Sequence, residues 1–268
     1  MCVTSNPAKI RNTRTYAYAT SRDGQPLHVC GYQNQAETVS APNCMFLNFA
    51  GRNLALVREA LGTKSLMLDM TKSLYALEPV VVTRGMSKSL FGGGVSVEDY
   101  GDYTVVLSQH PADILSVLES EEIPIERRVY RTPLLEEMVN FYMAYYPHDT
   151  FVLACFNGAV KPSHPITVSY TPRNPDVLTV PGLDAHDGFA PQPNAPLARD
   201  FYVAFGIEGV KLPHEVHYHD DVAGSFWAPS SVAGFRDNRY AGPNRDYVVR
   251  LDDVAAGCTG FELADALI

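Results

Sequence analysis

The chain has 268 residues, 46% hydrophobic and 19% charged, with 21 basic against 30 acidic side chains and a formal charge of −9. That apolar content is enough for a large buried core and excludes a mostly disordered chain, and the acidic balance works against nucleic-acid binding. Arg236, Arg239, Arg245 and Arg250 are the densest basic stretch, but Asp237, Asp246, Asp252 and Asp253 interleave with them, as on a salt-bridged surface.

Elements follow in chain order. Thr15–Thr20 and Leu27–Tyr32 flank the turn residues Arg22-Asp23-Gly24 and predict a hairpin. Asn43–Phe49 is a third strand-length apolar run. The spacing of Leu54, Val57 and Leu61 predicts a helix over 54–61 with Asn53 as its cap. Residues 65–77 fit a helix or irregular chain. Pro79–Thr83 and Tyr103–Leu107 read as buried strands on either side of a loop holding Gly92-Gly93-Gly94. A short helix is expected over Pro111–Glu119 and a longer one over Pro133–Tyr145, with Thr132 at its cap, Pro133 in the first turn and Pro147 beyond its end.

Thr150–Phe156 and Ile166–Tyr170 are expected to be a strand pair joined through Asn157-Gly158. Six prolines from Pro172 to Pro196 mark a long excursion at about 171–196, interrupted by a short strand at Val177–Val180. Further strands are expected at Phe201–Phe205, Glu215–His219 and Tyr247–Arg250, with a closing helix near Gly260–Leu267. Strands outnumber helices and arrive in pairs. The fold class is therefore α+β, one domain over 1–268 with a mainly antiparallel sheet.

The five cysteines, Cys2, Cys30, Cys44, Cys155 and Cys258, are odd in number, widely spaced and free of any C-x-x-C pair. This usage fits reduced thiols in a cytoplasmic protein. No apolar stretch approaches the roughly 18 residues of a membrane span, and the N-terminus lacks a secretory h-region. There is no phosphate loop, G-x-S-x-G elbow or H-E-x-x-H helix, so the sequence asks for no cofactor.

Chemistry concentrates at Cys2. Initiator methionine is removed ahead of small residues, and the new terminus would pair a thiol with an α-amine of pKa about 8 on one residue. This start resembles the cysteine-type N-terminal-nucleophile (Ntn) hydrolases, which include bile-salt hydrolases and penicillin V acylases. A Gly-Arg-Asn-Leu-Asp segment of that family is similar to Gly51-Arg52-Asn53-Leu54, with Ala55 in place of the acid. The resemblance implies an αββα sandwich, a Cys2 nucleophile acting on a small amide substrate, its own amine as base, and Arg52 as a substrate-binding residue. The segment lies farther along the chain than in the family, and Ser5-Asn6-Pro7 interrupts the strand that should follow the nucleophile.

Two histidine groups remain. On a strand, His217, His219 and Asp221 would share one face and could hold Zn²⁺ or Fe²⁺, while the same residues suit a solvated polar edge. In Asp184-Ala185-His186-Asp187-Gly188 the imidazole could serve acid–base work between carboxylates, Cys155 being one thiol it could serve, or the segment could be a polar turn. The aromatic-rich composition supports the alternative to an enzyme: an interaction or assembly protein that self-associates as a homo-oligomer.

Overall fold

The structure is a computed structural model and describes residues 2–38, 42–75, 95–157, 164–222, 224–239, 241–257 and 262–263. Strands β1 (Val3–Thr4), β2 (Ala8–Arg22), β3 (Gln25–Thr38), β4 (Asn43–Phe49) and β5 (Gly51–Leu56) lead to helix α1 (Leu66–Tyr75). Strands β6 (Val95–Tyr100) and β7 (Tyr103–Ser108) precede α2 (Ile114–Leu118) and α3 (Pro133–Tyr145). Then come β8 (Thr150–Phe156), β9 (Ile166–Pro172), β10 (Val177–Val180), β11 (Pro196–Leu197), β12 (Phe201–Ile207) and β13 (His214–Glu215). The chain closes through β14 (Ser231–Asp237), β15 (Gly242–Pro243), β16 (Tyr247–Arg250), α4 (Leu251–Ala255) and β17 (Glu262–Leu263).

The fold is α+β and its sheets are mainly antiparallel. A five-stranded sheet runs β1-β4-β8-β7-β6, and a seven-stranded sheet runs β13-β14-β12-β2-β3-β9-β5, with β12 and β2 as its parallel pair. The two sheets are joined by burial. Alternate residues of β4 and β8 (Met45, Leu47, Val152, Ala154) meet Ala17, Cys30, Val168 and Val203 of the larger sheet in one shared core. The intervening residues Phe46, Phe151 and Leu153 face outward against Leu135, Met138 and Tyr142 of α3. On the other side Tyr16, Tyr18 and Val29 face Leu66, Met67 and Met70 of α1. Period-2 alternation thus produces four layers in the order helix, sheet, sheet, helix.

Local chemistry explains the elements that formed as expected. Asp23 and Gly24 both have positive φ, 52° and 73°, and close the β2–β3 hairpin with Arg22 opposite Gln25. Thr132 accepts the Leu135 amide at 3.2 Å and Pro133 occupies the first turn of α3.

Four expectations need correction. The stretch read as a helix over 54–61 is strand β5 followed by a single 3-10 turn, Arg58–Ala60. Asn53 is no cap: its φ of 56° makes a bulge that lets β5 complete the edge of β9. Thr150–Phe156 and Ile166–Tyr170 are strands but not partners, since β8 pairs with β4 and β7 while β9 pairs with β3 and β5. The strand expected at Glu215–His219 is only His214–Glu215. Within the expected closing helix, Glu262 and Leu263 form a strand on β16. The predicted strand Pro79–Thr83 and the Gly92-Gly93-Gly94 loop lie outside the described residues.

Gly31 shows how tightly the α1 side is packed. It lies opposite Tyr16, and a Cβ at this position would stand 2.1 Å from Tyr16 Cε1 and 2.7 Å from Met67 Cε. Tyr16 cannot swing aside without breaking its 2.8 Å hydrogen bond to the Trp227 carbonyl. Gly31→Ala is expected to lower the unfolding free energy by about 1–3 kcal/mol, the usual cost of overpacking. Urea unfolding checks this, and an unchanged midpoint would refute the close approach.

Candidate functional site

The site is built on a strand of only two residues, β1. Residues 2–4 lie between two segments distant in sequence, with Val3 opposite Phe46 of β4 on one side and bridged in parallel to Ala185 on the other. Thr4 N donates to Ala185 O at 2.9 Å, Ala185 N to Cys2 O at 3.1 Å, and Ala8 N to His186 O at 2.9 Å. Buried backbone groups must find partners. The proline-rich segment supplies them, which lays Asp184 and His186 beside Cys2.

That segment is itself held from below. Asp246 Oδ1 accepts from Gly182 N at 2.7 Å and Leu183 N at 3.2 Å. Asn244 exchanges two 2.8 Å bonds with the backbone of Asp184, accepting from its N–H and donating to its carbonyl. The Asn244 loop is in turn pinned by Arg199, whose buried guanidinium donates to the carbonyls of Pro243 and Arg245 and to Tyr247 Oη. Asp237 balances that charge at 3.7 Å. Breaking these bonds would strand buried polar groups, so the loop has little freedom to shift.

At the centre, Cys2 is only 2% exposed. Its Sγ lies 3.6 Å from His186 Nε2, and the same nitrogen lies 2.6 Å from Asp184 Oδ1. Asp184 Oδ1 also accepts the Cys2 amide at 3.1 Å. Asn34, buried on β3, approaches Sγ with its Nδ2 at 3.8 Å and donates to Tyr32 Oη at 2.9 Å. The three reactive groups form a triangle around one imidazole nitrogen, not a linear relay. A proton on Nε2 is shared between a sulfur and a carboxylate.

Charge follows this geometry. Burial disfavours the His186 cation, but Cys2 and Asp184 outweigh it and raise its pKa to about 9. Burial likewise opposes Asp184 ionisation, yet positive charge around it, His186 foremost among the described residues, holds it well below the usual carboxylate range. Asp246 is the opposite case: burial raises its pKa against the hydrogen bonds it accepts.

Of the residues singled out in the sequence, the structure brings Cys2 and His186 together but not Cys2 and Arg52. Arg52 is exposed on β5, opposite Thr171 at the far end of β9. From the level of Thr171 to Asn34 beside Cys2 is roughly 20 Å along the sheet. Cys155 is fully buried opposite Cys44, so the thiol near His186 is Cys2. His217, His219 and Asp221 are all exposed and lie on irregular chain. His219 Nδ1 is 2.7 Å from the buried Asp69 of α1. Among the described residues, the metal-capable side chains that converge are Cys2, Asp184 and His186. Asp184 and Asn34 were missed as partners because only long-range pairing brings them to Cys2. The lone histidine flanked by acids was the available signal.

A separate cavity of about 410 Å³ opens among His28, Tyr146, Asp149, Tyr170, Arg173 and Asp246. Among the described residues no helix is long and apolar enough to cross a membrane.

The His186 pKa carries a stability consequence. Because the folded value lies above the ordinary 6.5, the contribution is complete below about pH 6.5 and is lost as pH rises through about 9. The stability difference between the parent chain and His186→Gln should therefore shrink across that window. Denaturant unfolding in chelator-treated protein measures it, and a difference that grows with pH would contradict the ion pair.

No family model and no curated protein matches this sequence. Among solved structures the chain is similar to baculovirus P35, at 11% identity over 94% of this chain and 92% of that one, with a TM-score of 0.43. It is also similar to a mutated baculovirus P35 after caspase cleavage, at 13% identity over 90% of each chain and a TM-score of 0.44. Likeness at this level carries nothing about activity.

Proposed function

We propose that the chain is a thiol-dependent amide hydrolase with Cys2 as nucleophile and His186 as its acid–base partner. The supporting observation is the buried Cys2 Sγ at 3.6 Å from an imidazole that is itself 2.6 Å from a carboxylate. A thiolate facing an imidazolium is the reactive form of a cysteine. The thiolate attacks the carboxamide carbon, the C–N bond breaks, and the Nε2 proton goes to the departing amine. Water then attacks the thioester, giving its proton to His186, and the acid leaves as the thiolate re-forms. Asp184 fixes the ring and balances its charge throughout.

This role for His186 makes the chemistry independent of the α-amine that the Ntn resemblance assigned as base. It also leaves Arg52 out of the reaction. The helix–sheet–sheet–helix layering is the order that the resemblance implies, which supports the reading at the level of architecture alone.

A chloroacetamide probe should label Cys2 ahead of Cys30, Cys44 and Cys155, and intact mass will show whether Met1 is retained on the labelled species. Cys2→Ser should abolish hydrolysis of a small amide panel, and His186→Gln should lower it by about 10²–10⁴-fold. Hydrolysis surviving in Cys2→Ser would sink the proposal.

An interaction role is favoured by a different observation. Ile125, Tyr130 and Leu134 are large and well exposed, and Phe189 is exposed beside Gly188, which packs against residues 5–7. The excursion at 171–196 is no free arm, because Leu178, Val180 and Leu183 are buried. If copies associate through the exposed side chains, the weight-average mass in light scattering will rise with concentration and fall back in Ile125→Ser/Tyr130→Ser. A monomer at all concentrations would end this reading.

A further inference from the structure

We propose that Cys2, Asp184 and His186 form a Zn²⁺ site whose occupation reversibly silences the thiol. The metal site stands on the geometry alone, and the silencing rests on the reading of Cys2 as a nucleophile. The Cys2 sulfur, an imidazole nitrogen of His186 and a carboxylate oxygen of Asp184 all lie within 4.8 Å of one another, and each is a zinc ligand type. A tetrahedral ion with Zn–S about 2.3 Å and Zn–N about 2.0–2.1 Å sets S and N about 3.6 Å apart. The Sγ–Nε2 separation is already 3.6 Å. Nε2 and Oδ1, now 2.6 Å apart, need to open by less than about 1 Å as the ion replaces the shared proton.

The donor set selects the metal. Calcium and magnesium take oxygen ligands, whereas one thiolate, one imidazole and one carboxylate suit a borderline ion such as Zn²⁺. Supporting groups are in place around the three ligands. The Asn34 amide faces Sγ, the Cys2 N–H bonds the Asp184 carboxylate, and Asn244 fixes the Asp184 backbone. Among the described residues Asn34 Oδ1 is also buried and without a hydrogen-bond partner. Such outer groups orient metal ligands. The His186 side chain is 23% exposed and gives the ion an entry path. With three protein ligands among the described residues, the fourth position is left to water. Zinc held on the sulfur takes up the electron pair that attacks the carbonyl, so the loaded form cannot acylate.

The test uses the full chain, reduced, stripped with chelator and dialysed, then titrated with Zn²⁺ by calorimetry and with Co²⁺ by absorption. One equivalent should bind, with a thiolate-to-Co²⁺ charge-transfer band in the near ultraviolet. Cys2→Ser should abolish that band, and Asp184→Asn and His186→Gln should each weaken Zn²⁺ binding at least about tenfold. His217→Ala should change nothing. Absence of stoichiometric binding, or binding unchanged in all three ligand variants, would overturn the site. Chloroacetamide labelling of the stripped chain separates the two ideas. Labelling without zinc binding retires the metal site and leaves the nucleophile. A charge-transfer band in a chain that hydrolyses nothing when stripped retires the hydrolase and leaves the metal.

Discussion

The structure around the site depends on one arrangement: a strand of two residues hydrogen-bonded on both sides. β1 takes β4 as one neighbour and the 184–186 segment as the other, and without the second neighbour the Thr4 amide and the Cys2 carbonyl would lose their partner, Ala185. An unpaired buried backbone group costs about 1–3 kcal/mol, which is enough to fix a segment rich in proline and poor in regular structure. The same bonds set the side chains. Once Ala185 is fixed against residues 2–4, Asp184 and His186 reach Cys2.

Rigidity then passes outward through polar contacts. Arg199 holds the carbonyls of the 243–245 loop, Asn244 and Asp246 hold residues 182–184, and those residues hold the neighbours of Cys2. Buried ionic groups of this kind contribute little net stability when they replace apolar packing. Their contribution here is positional, since they hold the 243–245 loop and residues 182–184 against each other. Asp246 also lines the large cavity near His28 and Tyr170, so the brace and that cavity share a wall.

The chemistry of the site follows from low exposure. A thiol, an imidazole and a carboxylate in water would be screened and nearly independent. Packed behind Asn34, Tyr32 and Tyr103 they perturb one another, which is why the His186 cation is stabilised in spite of its burial. The triangle about Nε2 places a sulfur and a carboxylate around one imidazole nitrogen, the geometry on which both proposals for this site rest.

Much of the scaffold was legible from local signals. Asp23-Gly24 dictates a tight hairpin because both positions need positive φ, Thr132-Pro133 starts α3 because it supplies a cap and a preset first turn, and apolar runs of strand length mark β4 and β8. The sequence also pointed to Cys2 and to the acid-flanked His186, each by its own residue chemistry. What pairs with what was decided by tertiary structure. The apolar spacing of Leu54, Val57 and Leu61 suits a helix, yet the open edge of β9 offered hydrogen bonds that no isolated helix could match, and β5 formed. His217, His219 and Asp221 would share a face only on a strand, and the strand ends at Glu215. Cys2 and His186 stand 184 positions apart, and no local pattern encodes such a contact. Local residue chemistry fixes turns, caps and apolar strand runs because those energies act within a few residues, whereas the site exists only where distant backbones satisfy each other's hydrogen bonds.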